Sequence, residues 1–125
     1  MALTLWIGLG GALGAILRHF MNIGIARVAG SDFPWHTMVV NMTGSFVMGL
    51  LISIMAQRWN VTNELRAFLT TGILGGYTTF SAFSLDFALL VERKTYALAG
   101  AYALGSVLVS LVAIFIGMAL GRVFA

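Results

Sequence analysis

The residues best suited to chemistry crowd into one segment, Gly72–Ser84, GILGGYTTFSAFS. Adjacent Gly75 and Gly76 free the backbone from helical dihedrals, and Thr78, Thr79 and Ser81 follow at once. Apolar runs flank the segment, which places it at membrane depth. Irregular backbone is tolerated there only when it is buried in protein, lines water or coordinates an ion. Two readings stay open: a backbone ion site of the kind broken helices form, or a glycine kink patched by the Thr78 and Thr79 hydroxyls. Phe80 and Phe83 come next, three residues apart and so on one helix face. An aromatic ring has a positive edge, so the pair can offer a dry, weakly electropositive surface to a small anion; ordinary packing is the competing meaning.

Other polar groups lie inside apolar runs. Asn41, Thr43 and Ser45 occupy the second run, where an unpartnered amide is expensive and must face protein or water. The Asn41 amide can donate two hydrogen bonds: donation to an anion and an interhelical bond are both open. Tyr102, Ser106 and Ser110 recur every four residues and form a hydroxyl stripe on one face, again either an ion track or small-residue packing. Gly10 and Gly14, and Gly117 and Gly121, have GxxxG spacing and point to close helix packing. Arg18 lies about 22 Å along the first run from Leu3, within snorkelling reach of the far interface, where it can anchor the helix or draw anions to a pore mouth. Asp86 is expected as a solvated residue near a helix end. His19 and His36 make no metal spacing, and no triad, dyad or phosphate loop is present, which argues against an enzyme.

The elements that must position these residues are membrane helices. Of the 125 residues, 60% are hydrophobic and only 9% charged, with a mean hydropathy of +0.99; a water-soluble domain carries about 25% charged residues. A span takes roughly 20 apolar residues. The pattern therefore predicts an all-α membrane protein, a single transmembrane domain over residues 1–125, with helices over about 3–28, 36–57, 64–91 and 96–124. The third is expected to be broken near Gly75–Thr79. Met1–Leu5 lacks a basic stretch and the apolar run continues past Leu17, so the first segment is expected to be a retained span rather than a signal peptide. The net charge of +3 is scattered at helix ends with no basic stripe, which excludes a nucleic-acid footprint. There is no cysteine, hence no disulfide or thiolate metal site.

With four spans, Arg58, Arg66 and Arg122 fall on one side of the membrane and Arg27, Arg93 and Lys94 on the other, with Arg18 adding little. Such a balance gives almost no preferred orientation under the positive-inside rule. Dual insertion follows as an expectation, and with it an antiparallel homodimer about a two-fold axis in the membrane plane.

Three stretches in this order, GGALGAILRH at 10–19, NMTGSFVMG at 41–49 and GGYTTFSAFS at 75–84, resemble the Fluc or CrcB-like fluoride channel family over essentially the whole chain. The resemblance implies a dual-topology antiparallel homodimer with two pores in the bacterial inner membrane, exporting fluoride passively. It implies that Phe80 and Phe83 are pore phenylalanines whose edges face the ion, and that Asn41 is the pore asparagine. It makes Tyr102, Ser106 and Ser110 a polar track, adds Thr79 to the pore, and makes Arg18 a vestibule arginine. It also implies a structural sodium ion at the dimer centre, caged by the main-chain carbonyls of Gly75 and Thr78 from each subunit. The partners implied are a second copy of the chain, fluoride and the lipid bilayer.

The alternative is a small proton-coupled exporter of the multidrug type. It needs a membrane-embedded carboxylate, and the first run has none while Glu64, Asp86 and Glu92 are read near helix ends. A non-transporting assembly subunit would explain the GxxxG pairs but not the Gly75–Ser84 segment.

Overall fold

The computed structural model describes residues 1–124 and is entirely helical. Helix α1 spans Ala2–Ala29 and α2 spans Trp35–Gln57. The third apolar stretch, Asn63–Glu92, contains α3 (Asn63–Ala67), a π-helical segment (Phe68–Leu74), α4 (Gly75–Tyr77) and α5 (Ser81–Glu92). Helix α6 spans Tyr96–Phe124. Four helical stretches are therefore long and apolar enough to cross a membrane.

Local chemistry sets the ends. Helix α1 stops at Gly30, whose φ of +82° suits a residue without Cβ and whose amide closes on Ala26 O. Pro34 precedes α2, where its missing N–H costs nothing. Thr62 caps α3 by accepting from the Leu65 amide at 3.2 Å. Lys94, at φ +60°, turns the chain between α5 and α6, and Thr95 N and Oγ1 both donate to Leu90 O, at 3.1 and 2.7 Å.

Packing follows the glycines. Helix α2 lies along α6, and α1 lies along the third stretch. A Cβ on Gly117 would strike the Phe46 carbonyl, one on Gly121 would come within 2.5 Å of Ser53 Cβ, and one on Gly49 would strike the Ile114 carbonyl. On the other side, a Cβ on Gly10 would lie 2.5 Å from Phe68 O, and one on Gly14 would hit the Ile73 carbonyl and approach Tyr77 N to 2.8 Å. Backbone thus touches backbone, which is how helices associate where lipid supplies no hydrophobic drive between them. The rest of the apolar surface faces outward: Leu104, Phe115 and Leu108 are 67%, 67% and 59% exposed. Water would not tolerate that surface, whereas hydrocarbon does.

Gly75 and Gly76 are a correction. Both stay helical, Gly75 at φ −63° and ψ −38°. The chain leaves helical geometry at Thr78 instead, with φ −82° and ψ 158°, and resumes it at Ser81. The reason is steric: a Cβ on Gly76 would sit 2.5 Å from Gly11 O, so that glycine serves close approach to α1 rather than backbone freedom.

A prediction arises here. Gly14→Ala lowers stability by about 1–3 kcal/mol, read as a lower melting temperature in detergent. Gly8→Ala, with nothing within 4 Å of its Cβ, does not.

Candidate ion-binding groove

Helices α2, α5 and α6 and the residues between α4 and α5 enclose a groove of about 350 Å³. Asn41, Gly44, Ser45 and Met48 line it from α2, Thr78, Thr79, Phe80 and Phe83 from the third stretch, and Ser106, Val107, Ser110 and Ile114 from α6. Five of the residues singled out from the sequence, Asn41, Phe80, Phe83, Ser106 and Ser110, therefore share one wall system with Thr79.

Asn41 is the bridge between α2 and the non-helical residues. Its Nδ2 donates to Thr79 O at 2.9 Å, and its Oδ1 accepts from the Thr79 amide at 2.8 Å. The side chain thus stands in for the helical partners that this peptide has lost. Of the two openings the sequence left for Asn41, the interhelical bond is present, and because Nδ2 carries two hydrogens one more can be donated. Ser106 Oγ is buried without a hydrogen-bond partner on a residue only 5% exposed, on the wall of the same groove. A buried unpaired hydroxyl is costly unless something in the groove accepts from it. Phe80 and Phe83 meet edge to face, with centroids 5.5 Å apart at 73°. Phe83 is half-buried and Phe80 is 68% exposed.

Tyr102 and Arg18 lie off this groove. Tyr102 is fully buried, its ring between Phe33 and Phe83 at 5.5 and 5.2 Å. Its hydroxyl donates to Asp86 Oδ2 at 3.0 Å, and Thr37 Oγ1 donates to the same oxygen at 2.6 Å. Asp86, expected as a solvated end residue, is instead partly buried and holds two buried hydroxyls. Arg18 is half-buried on α1. The Thr37–Asp86 contact was missed in the sequence, although one signal was there: Thr37, Asn41, Gly44 and Met48 follow one another at helical spacing along α2.

A second bridge supports the first. Thr43 Oγ1 and the Tyr77 hydroxyl are hydrogen-bonded at 2.9 Å, and Thr43 also donates back to Val39 O at 2.8 Å. The pair ties α4 to α2 just ahead of Thr78. Tyr77→Phe should remove about 1 kcal/mol, seen as a lower melting temperature with the helical content unchanged.

Whether Gly75 and Thr78 suit a cation turns on their carbonyls. In a continuous helix the amides of Thr79 and Ala82 would close on them. Here the Thr79 amide goes to Asn41 Oδ1 and the Ala82 amide to Thr79 Oγ1 at 3.1 Å. Both carbonyls are thereby released from helical bonding, and an all-oxygen donor set of this kind fits a hard cation. Among the described residues no three His, Asp or Glu come together as an alternative site.

Residues 5–118 match the model of the family described as CrcB-like protein, Camphor Resistance (CrcB). The chain is 48% identical over 116 residues to a protein of Agrobacterium fabrum, covering 93% of each. It is 49% identical over 122 residues to one of Rhodospirillum centenum, covering 98% of this chain and 97% of the relative. To a protein of Rhodopseudomonas palustris it is 52% identical over 118 residues, covering 94% and 95%. All three relatives carry the name fluoride-specific ion channel FluC. A match across nearly the full length of both partners leaves one conclusion: this multi-pass membrane chain belongs to the CrcB-like family.

Proposed function

We propose that the protein is a fluoride-selective channel rather than an enzyme, passing fluoride passively out of the cytoplasm across the bacterial inner membrane. The observation that carries this reading is the single groove that gathers Asn41, with one amide hydrogen still to donate, the Phe80–Phe83 pair, and Ser106 and Ser110, the Ser106 hydroxyl being buried and unpartnered in its wall. The names of the relatives support it independently.

Fluoride gives up its water only against strong donors. Asn41 Nδ2, Ser106 Oγ and Ser110 Oγ supply them in sequence along the groove, with Thr79 beside Asn41. The phenylalanine edges bridge the gaps between donors without binding tightly enough to trap the ion, the balance any conducting path needs. Selectivity over chloride comes from the width and the donor spacing of the path. Tyr102 acts from behind the wall, holding Phe83 in place while Asp86 fixes its hydroxyl. Arg18 draws anions toward the mouth.

The working unit is an antiparallel homodimer of two single-domain subunits, each with its third crossing interrupted between Tyr77 and Ser81. Balanced basic residues at the two ends, the 68% exposure of Phe80 and the exposed face of Gly75 support it. The Gly75 and Thr78 carbonyls of both subunits would hold a structural sodium ion at the dimer centre, and when bound it supplies positive potential beside the path. The proton-coupled exporter has no support among the relatives.

The test is ion efflux from liposomes containing purified protein. Fluoride should leave fast and without a proton gradient, while chloride stays; equal efflux of both ions, or none from a folded dimer, ends this reading.

A further inference from the structure

The Gly75 and Thr78 carbonyls are released from helical bonding by two captures, and both are made by side chains of the groove. The Thr79 amide would belong to Gly75 O in a helix, yet Asn41 Oδ1 holds it at 2.8 Å while Asn41 Nδ2 holds the other end of the same residue at 2.9 Å. The Ala82 amide would belong to Thr78 O, yet Thr79 Oγ1, one residue ahead of the α5 N-cap Phe80, holds it at 3.1 Å. Removing either acceptor leaves a partly buried amide without a partner, and the nearest remedy is the carbonyl one helical turn back. A carbonyl that accepts an amide is a poorer ligand, because the lone pair and dipole it would offer a cation are already engaged.

We infer that Asn41 and Thr79 are positioning residues for the cation, holding the Gly75 and Thr78 carbonyls open by capturing the two amides that would otherwise close on them. This goes beyond a pore role for either residue and rests on the sodium reading above. It couples the two sites: the side chain that faces the ion path from α2 also prepares the backbone for the cation.

Thr79→Val keeps shape and removes the Oγ acceptor; Thr79→Ser keeps the acceptor; Asn41→Leu frees the Thr79 amide. Each is purified in detergent, and its melting is followed by the fluorescence of Trp6, Trp35 and Trp59 while sodium chloride replaces N-methyl-glucamine chloride at constant ionic strength. Wild type should melt higher as sodium rises, with a defined midpoint concentration. Thr79→Val and Asn41→Leu should raise that midpoint by about fivefold or more, the factor one net hydrogen bond corresponds to, and Thr79→Ser should restore the wild-type value. A purely structural role would lower all melting temperatures and leave the sodium midpoint where it was, which would overturn the inference alone. A wild-type protein whose melting ignores sodium would overturn the cation reading and the inference with it. Should Thr79→Val not fold, Asn41→Leu carries the same comparison.

Discussion

Asn41→Asp should cut fluoride efflux from liposomes by more than a hundredfold. The Asn41 Nδ2 now donates to Thr79 O at 2.9 Å; an ionised carboxylate places a second acceptor there, so an attraction becomes a repulsion while the bond from the Thr79 amide can persist. A fluoride ion passing at roughly 5 Å would meet a like charge costing about 3 kcal/mol at the effective dielectric suited to proteins. At 1.36 kcal/mol per decade that is more than two decades of rate. The measurement is initial fluoride efflux per unit of reconstituted protein. Efflux within a few-fold of wild type would remove Asn41 from the path.

Phe80→Ile and Phe83→Ile come second. Isoleucine keeps an apolar side chain but has no ring, hence no electropositive edge. If each edge contributes about 1–2 kcal/mol to a dehydrated ion, the scale of the mirror-image interaction of cations with ring faces, each variant should lose about tenfold or more in efflux, and the double variant more than either. The two should differ in stability. Phe83 packs against Tyr102 at 5.2 Å, whereas Phe80 is 68% exposed. Phe83→Ile should therefore lower the melting temperature and Phe80→Ile hardly change it. An unchanged flux in a protein of normal melting temperature would mean that the pair only packs.

Much of this architecture was legible in the residues. Long apolar runs broken by Gly30 to Pro34, by Arg58 to Thr62 and by Arg93 with Lys94 can fold only as membrane helices with short turns, and four such helices are present. Part of the groove was legible because Asn41, Ser106 and Ser110 are polar groups inside apolar runs, the two serines share a face of α6, and Phe80 and Phe83 stand three residues apart; the groove brings all five together. The surroundings of Tyr102 were not legible in this way. Its Cα continues the serine stripe, but the ring turns under Phe33 and its hydroxyl goes to Asp86, a choice made by side chains remote in sequence. Asp86 failed for a related reason: its other partner, Thr37, is 49 positions away, and counting residues to the nearest interface says nothing about who is waiting there. The glycine pair misled because glycine has two uses. Gly76 was read for torsional freedom and serves proximity, since Gly11 of the neighbouring helix occupies the space of its missing Cβ. Nothing in FLTTGIL demands the wider π turns found at Phe68–Leu74; they belong to the packed molecule and not to any one residue.

The double bond between Asn41 and Thr79 has one more consequence. A gap in a helix is commonly pictured as a hinge, but this one is riveted across to α2 at both the amide and the carbonyl of a single residue, with the Tyr77–Thr43 pair as a second rivet two residues earlier. The two halves of the third crossing cannot swing apart without breaking these hydrogen bonds. The interrupted stretch that lines the groove is thus a fixed strut rather than a moving part.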